Sequence, residues 1–126
     1  MKKEYSRKWK SSTQPRKQRK YAINAPLHIK TRALSVHLLP ELRKKHGMRH
    51  VHIRKGDKVK ILRGQFKGKE GKVEEASIRK MRLYISKIER DKKDGSKTRV
   101  PIHPSNVIIT ELAMDDKRRK KKLKEN

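Results

Sequence analysis

The chain has 126 residues, of which 39 are Lys or Arg and 13 are Asp or Glu, and its formal net charge is +26. A chain this basic repels itself, so its compact state needs a polyanion, and RNA or DNA is the abundant cellular choice. The absence of cysteine excludes disulfides and cysteine zinc sites. No apolar run approaches the roughly 18 residues of a membrane span, and the first thirty residues lack a secretory signal, so a soluble intracellular protein is expected.

The first 22 residues show no usable periodicity, but they interleave Lys and Arg with Tyr5, Trp9 and Tyr21. Aromatic faces stack on bases while cations follow a nucleic-acid backbone, so this composition is typical of a tail that threads against RNA. The alternative is that these rings anchor the tail on the protein core. Both interpretations stay open for Trp9.

Two short helices are predicted next. Asn24 is a suitable N-cap, and Pro26 is tolerated in the first turn of a helix that runs to about Leu34. Pro40 opens a second helix, which ends before Gly47. Acidic residues are nearly absent from this half of the chain, so phosphate contact is favoured over a merely solvated face for the cations on the outer side of the second helix, Arg43, Lys44 and Lys45.

From Val51 onward apolar and polar residues alternate, which indicates β-strands. Pro101 interrupts one of these runs, so that strand is predicted to be an edge or bulged. Residues 91–96 have the composition of a hairpin turn, with Asp94-Gly95 at its tip. Short strands at such close spacing predict a small antiparallel β-barrel. The predicted strands lie around 51–53, 59–61, 73–78, 83–86, 100–102 and 107–110.

The end of the chain is basic again. Asp115 and Asp116 precede a cationic run from Lys117 to Lys124, which indicates a basic helix or tail. With so little apolar surface, this tail is not expected to be held on the protein unaided. The predicted organisation is therefore a basic, partly helical extension over 1–49, a β-barrel over 50–112 and a basic tail or helix over 113–126.

The most specific local pattern lies between the second and third predicted strands. Val59 and Ile61 point inward, and the chain then turns at Gly64, which can adopt backbone angles closed to other residues. Gly68 and Gly71 let the chain reverse into the next strand. A lysine-bearing turn of this kind brings backbone N–H groups and ammonium groups close to phosphate.

Catalytic and metal-binding interpretations are disfavoured. A phosphate-binding P-loop needs four residues between its glycines and a Ser or Thr after its lysine, but Gly64 and Gly68 have three residues between them and Glu70 follows Lys69. His50 and His52 share one strand face without acidic or cysteine partners, so RNA-facing or solvated histidines are favoured over metal ligands. No enzymatic activity, metal or cofactor is expected.

The glycine-rich stretch resembles the KOW motif, which occurs in ribosomal proteins and in the NusG and Spt5 transcription elongation factors. The resemblance extends over nearly the whole chain, to the large-subunit ribosomal protein family numbered twenty-four in its archaeal form and its eukaryotic counterpart numbered twenty-six. The segments that carry it are 16–20, 24–29, 41–43, 53–64 and 102–107.

This resemblance implies an SH3-like barrel with an RNA-bound extension. It also implies early assembly on large-subunit rRNA, a place beside the nascent-chain tunnel exit, and a cytoplasmic, ribosome-bound location. The implied partners are large-subunit rRNA, neighbouring large-subunit ribosomal proteins and factors at the tunnel exit, with no homo-oligomer. Bacterial members have a longer loop where this chain has the turn at 91–96, so it stays open whether any loop here reaches over the tunnel mouth.

Two other functions are weighed against this one. A KOW-bearing transcription or RNA-processing factor would need a separate α/β domain, for which residues 1–50 are too short and too basic. A role with an assembly or translocation factor is compatible with ribosome binding. RNA contacts are predicted for Arg16, Lys17, Arg19, Lys20, His28, Lys30, Arg32, Arg43, Lys44, Lys45, Arg54, Lys55, Arg63, Gly64, Lys67, Gly68 and Lys69.

Overall fold

The fold is mainly β. A computed structural model describes Tyr5, Ser6, Lys8, Trp9 and residues 12–124, so the predicted extension and tail are seen only in part. The described α-helices are α1 (Pro15–Asn24), α2 (Leu27–Ala33), α3 (Pro40–His46) and α4 (Lys117–Lys124). The described strands are β1 (Ser35–Leu38), β2 (His50–His52), β3 (Lys58–Ile61), β4 (Glu70–Ser77), β5 (Arg82–Ile85), β6 (Glu89–Asp91), β7 (Lys97–Arg99) and β8 (Val107–Glu111).

Six of these strands form one sheet in the order β2-β1-β8-β3-β4-β5, and β6 and β7 form a separate hairpin. Strand β1 runs parallel to β8, whereas the other neighbours in the sheet are antiparallel. The predicted antiparallel barrel is thus confirmed only in its β content. The sheet is mixed, and no ladder among the described strands joins β2 to β5 to close it.

The core lies against this sheet and is built from the alternating apolar positions that the sequence indicates. Val59 and Ile61 of β3 are almost fully buried, as are Leu83 and Ile85 of β5, while the residues between them are partly exposed. Side chains that alternate across a strand place these residues on one face. The remaining members of the buried cluster are Leu34, Val36, Leu38, Ile53, Val73, Ile88, Val107 and Ile109.

Strand β1 is the main departure from the predicted organisation. Its residues fall in the segment assigned to the basic extension, yet β1 lies between β2 and β8 in the sheet. Val36 and Leu38 are buried with 1% and 0% of their surface exposed. The sheet therefore depends on residues that precede position 50.

The helices follow the prediction in part. Helix α3 begins at Pro40 and ends at His46, and the φ of +62° at the following Gly47 is the left-handed angle that favours glycine after a helix. The N-cap role predicted for Asn24 is wrong, because α1 ends there and Pro26 precedes α2. Pro26 has no N–H to continue α1, and its φ suits the start of the next helix. No helix within the described ranges combines the length and the apolar character needed to span a bilayer.

The hairpin and the run that follows it are also partly as predicted. The tip at Asp94-Gly95 is confirmed, with Gly95 at a φ of +81° and the Lys92 N–H donating to the Ser96 carbonyl. The run at 100–102 forms only an isolated bridge, in which Ile102 and Leu83 exchange hydrogen bonds of 2.8 Å. Pro101 lacks an N–H, so this run cannot extend a full ladder.

Candidate nucleic-acid interface

The turn between β3 and β4 is shaped by two glycines. Gly64 and Gly68 have φ values of +92° and +87°, and a Cβ at either position would meet nothing within 4 Å. Glycine is therefore required at both positions by the backbone angle and not by a lack of space for a side chain. Two hydrogen bonds close the turn: the Gly68 N–H donates to the Ile61 carbonyl at 2.8 Å, and the Ile61 N–H donates to the Lys69 carbonyl at 2.9 Å.

The turn presents ammonium and guanidinium groups, while its own backbone satisfies several of its N–H groups. The N–H groups of Lys67 and Lys69 donate to the carbonyls of Gly64 and Phe66. The backbone N–H groups of residues 67–69 are therefore used within the fold and are not available for the predicted approach to phosphate. The Lys69 ammonium lies 5.3 Å from the centre of the Phe66 ring, which holds it by a cation–π contact.

Gly71 has a different role from the one its sequence position indicates. It lies inside β4 rather than in the turn, and its φ is not in the left-handed region. A Cβ there would lie 2.7 Å from the Ser86 carbonyl oxygen and 2.8 Å from Ile85 Cγ2. Glycine is needed at this position because β5 and the residue after it pass so close to β4.

Helices α1 and α2 carry the next group of predicted contacts. Neither helix has an acidic residue in its first turn or a buried residue, so their cations face outward. Lys30 is an exception in part, because its ammonium donates to the Ile23 carbonyl at 2.7 Å. The exposed members of the predicted set on these helices are Arg16, Lys17, Arg19, Lys20, His28 and Arg32.

The aromatic residues near the N-terminus pack on one another and on α1. The Trp9 and Tyr5 rings lie 4.7 Å and 4.9 Å from the ring of Tyr21, and the two tyrosine hydroxyls are hydrogen-bonded at 2.7 Å. The rings thus anchor the N-terminal segment to a helix rather than to the sheet core. Half-buried Trp9 also lines a small cavity together with Lys17 and Lys20, which leaves the stacking interpretation open.

The cations of α3 divide into two roles. Lys44 and Lys45 are exposed, as predicted for an outward cluster. Arg43 is half-buried, and its Nε donates to the Leu38 carbonyl at 2.6 Å, so it also fastens α3 to the end of β1. Of the pair that follows β2, Lys55 is exposed, whereas Arg54 forms an ion pair with Asp116.

An unpredicted buried ion pair attaches α4 to the sheet. Asp57 is fully buried and Arg119 is 5% exposed, and the two make a bidentate contact with N–O distances of 2.6 and 2.8 Å. The Asp57 carboxylate also accepts from the backbone N–H groups of Arg54 and Ala113 at 2.8 and 2.9 Å. Leu123, one turn beyond Arg119, is buried as well. The expectation that the tail is not held by the protein is therefore wrong.

Two features of the sequence point to this attachment in retrospect. Asp57 is an isolated acid beside a glycine in a basic stretch, and Arg119 and Leu123 are four residues apart, which places them on one side of a helix. The two members of the ion pair lie 62 positions apart in the chain, so local sequence patterns do not predict that Asp57 and Arg119 pair with each other.

His37 and His103 have lowered pKa values, and desolvation is the largest cause for each of them. His37 is exposed, and desolvation by its neighbours lowers its pKa, which the charges of Arg49 and Arg43 lower further. Partial burial also lowers the pKa of His103, with a smaller effect from Arg82. His103 Nδ1 accepts from the Ser105 N–H at 3.2 Å and so caps the short 3-10 turn at Pro104–Asn106. No group of His, Asp or Glu within the described part of the chain has the arrangement of a metal site.

Comparisons with known proteins agree with the motifs. The family of eukaryotic ribosomal proteins L26 and their archaeal L24 counterparts matches residues 12–126. The chain is 46% identical to the large ribosomal subunit protein uL24 of Methanosphaera stadtmanae over 112 residues, which cover 89% of this chain and 96% of that relative. It is 45% identical to the protein of the same name from Korarchaeum cryptofilum over 112 residues, 89% of this chain and 86% of that relative. The predicted resemblance is confirmed, and the chain belongs to this family of archaeal and eukaryotic ribosomal proteins.

Proposed function

We propose that this protein binds large-subunit rRNA through two basic regions, α1–α3 and the turn at 63–69, and that the sheet holds these regions in place. Family membership makes it a structural constituent of the large ribosomal subunit, bound to the ribosome in the cytoplasm. The predicted KOW loop, residues 63–72, then comprises the turn at 63–69 and the start of β4, and the sheet around it corresponds to an SH3-like core. Early assembly and a position near the tunnel exit belong to the same proposal and rest on the family likeness.

The observation that carries this proposal is the surplus of exposed cations without acidic neighbours. Among the predicted contact residues that the structure describes, Arg54 alone has a carboxylate within salt-bridge distance. The acids that do form pairs lie elsewhere, as in Lys60 with Glu70 and Arg99 with Glu74 and Glu75. Unpaired cations concentrated on α1–α3 and one turn form the electrostatic footprint expected of an RNA-binding protein.

Recognition on this surface is expected to follow backbone shape. Lys and Arg side chains would contact phosphates and 2′-hydroxyls, with little reading of base edges. Helix α1 has no buried residue and only 10 residues, so it is marginal without a partner and gains order when it binds rRNA.

Sedimentation separates this function from a regulatory one. After a moderate-salt wash, the protein should remain with the large subunit, because many phosphate contacts act together. A transcription or RNA-processing factor would instead leave the particle and appear in the light fractions, and that outcome would contradict the proposal.

Removal of residues 1–24, the part of the predicted extension that ends with α1, tests whether this part contributes to RNA binding. This deletion ends before Ala25 and leaves β1 and the buried cluster intact, so the remaining chain should fold. Its affinity for large-subunit rRNA should fall sharply, because the cations of α1 are lost. Unchanged affinity in a folded deletion variant would show that α1 makes no RNA contact.

A further inference from the structure

A cavity lies between the outer edge of β2 and helix α4, with a volume of about 430 Å³. It touches three consecutive residues of β2, namely His50, Val51 and His52. Successive side chains of a strand point to opposite faces, so a cavity that meets all three lies at the strand's edge. Strand β2 lies at one edge of the sheet and pairs only with β1 among the described strands, which leaves its outer side without another strand.

The cavity exists because α4 is fixed in place. Arg118, Arg119 and Leu123 of this helix form its second wall. The Asp57–Arg119 pair holds that wall, and an Arg119 terminal nitrogen also reaches the His52 carbonyl oxygen at 3.3 Å. Arg119 Nε is buried and has no hydrogen-bond partner among the described residues. A buried donor without a partner costs stability unless a ligand or water reaches it.

The charge of the lining suits an anionic ligand. Of the described residues, four arginines border the cavity and no Asp or Glu does. Asp57 and Asp116 neutralise Arg119 and Arg54 from outside. The other two, Arg49 and Arg118, have no carboxylate within salt-bridge distance in the part of the chain that the structure describes.

The rest of the lining suits a flat, partly apolar group. Val51, Met48 and Leu123 supply apolar surface, and His50 at the outer edge of β2 supplies a backbone donor and a backbone acceptor in the plane of the sheet. A base needs this combination: an apolar or guanidinium surface against its face, and hydrogen-bonding groups at its edge. The volume lies within the range of about 300–1,000 Å³ typical of small-ligand sites.

We propose that this cavity holds one unstacked nucleotide of the bound rRNA, an inference that rests on the rRNA binding proposed above. Its base lies between β2 and α4, and its flanking phosphates contact Arg49 and Arg118. Asp57 is a positioning residue for this site, because it touches Arg119 but does not line the cavity. The protein thus adds one base-sized contact to recognition that otherwise follows the RNA backbone.

Two pairs of matched variants of the full chain test this site. His50→Trp fills the cavity, and His37→Trp adds the same bulk at the directly opposite, exposed position on β1, which does not line it. Arg118→Ala removes a cation from the cavity, and Lys117→Ala removes one from the neighbouring, exposed position on the same helix. The probe is intact large-subunit rRNA, and the measurements are affinity and chemical reactivity of the base edges.

In the complex with the unaltered protein, we expect at least one unpaired nucleotide to be protected at its base edge. His50→Trp, which fills the cavity, and Arg118→Ala, which removes a cation from it, should both restore its reactivity and weaken binding. For Arg118→Ala the loss should be about tenfold, the effect of losing a charge-assisted hydrogen bond. His37→Trp and Lys117→Ala should keep the protection. Identical footprints and affinities for all four variants would overturn the proposal, and so would weaker binding with no change at any base. If the unaltered protein fails to bind the rRNA, the proposed function fails first, and this inference falls with it.

Discussion

Loss of the Asp57 carboxylate should release helix α4 and destabilise the whole domain. In the structure this carboxylate is fully buried and accepts four hydrogen bonds, two from Arg119 and one each from the backbone N–H groups of Arg54 and Ala113. Asp57→Ala removes all four and leaves a guanidinium and two backbone donors without their acceptor. The carboxylate thereby joins α4 to the segment after β2 and the segment after β8.

The size of the effect follows from burial. Breaking a buried ion pair by removing one partner costs about 3–5 kcal/mol, because the other charge stays buried without compensation. Helix α4 is the last element of the described chain, so Arg119 can escape to solvent by undocking, and this relief favours the lower end of that range. A loss of about 3 kcal/mol is still large beside the 5–15 kcal/mol typical of a folded domain.

Urea unfolding and amide hydrogen exchange measure the two parts of this prediction. Unfolding in about 1 M salt shortens the Debye length to about 3 Å, which screens the general repulsion of the chain but affects a buried pair much less. Asp57→Ala should lower the free energy of unfolding by about 3 kcal/mol, and the amides of α4 should lose protection. Asp91→Ala is the matched control. Because Asp91 is exposed, its replacement should change the free energy of unfolding by no more than about 0.5 kcal/mol.

A double-mutant cycle with Arg119→Ala decides whether the pair itself is responsible. Because each single variant leaves a buried group unpaired, the double variant should lose less stability than the sum of the two, by about 1–3 kcal/mol. Additive losses, or a stability of Asp57→Ala equal to that of the Asp91→Ala control with α4 still protected, would refute the reasoning.

Three further predictions concern the turn, the sheet and the 3-10 cap. Replacing both Lys67 and Lys69 by Ala should flatten the salt dependence of rRNA binding by about one unit of slope per lost phosphate contact. The control Lys58→Ala removes a lysine that is already paired with Glu111 at 2.8 Å, so it should change this slope little. If the unaltered protein and both variants had the same slope, the turn would not be part of the interface. Gly71→Ala should cost about 1–3 kcal/mol in urea unfolding because its Cβ would lie 2.7 Å from a backbone oxygen, and an unchanged midpoint would contradict the close approach of β5. The pKa of His103 is lowered by burial, so on acidification below about pH 6.5 the unfolded state takes up the proton first and the free energy of unfolding falls. His103→Asn keeps an acceptor for the 3-10 cap and should weaken this pH dependence. If the free energy of unfolding of the variant followed pH as that of the unaltered protein does, the lowered pKa would be contradicted.

The local elements of the fold were predictable where short-range chemistry dictates them. Helix α3 lies between Pro40 and Gly47, and both residues act as start and stop signals whatever surrounds them. The strands β3 and β5 were evident from alternation, since one face of each is buried. The turn at Asp94-Gly95 needs only the freedom of glycine, so its sequence was sufficient.

Features that depend on distant partners were not predictable. Strand β1 has only four residues, and its parallel pairing with β8 joins positions about 70 residues apart, so no hairpin turn signals it. Helix α1 has no buried face and therefore no apolar period. The wrong expectation of a free tail has the same origin, because Arg119 looks like a solvated cation until Asp57 is brought beside it.

The candidate interface was predictable in composition but not in geometry. The glycines and lysines of the turn were identified from their spacing, and the structure places them together at one end of β3 and β4. The use of the turn's own N–H groups in internal hydrogen bonds was not visible from sequence, nor was the structural contact of Arg43 with the Leu38 carbonyl. Both depend on backbone positions that only the folded chain defines.

Binding of the purified full chain to large-subunit and small-subunit rRNA, compared over a range of salt concentrations, tests the central claim most directly. If charge alone determined binding, the protein would have the same affinity for both RNAs, and both affinities would fall equally as the salt concentration rises. We expect the large-subunit rRNA to be preferred, with a preference that persists at physiological salt because shape and the base-sized cavity add to charge. Equal affinity for the two RNAs at every salt concentration would contradict the account.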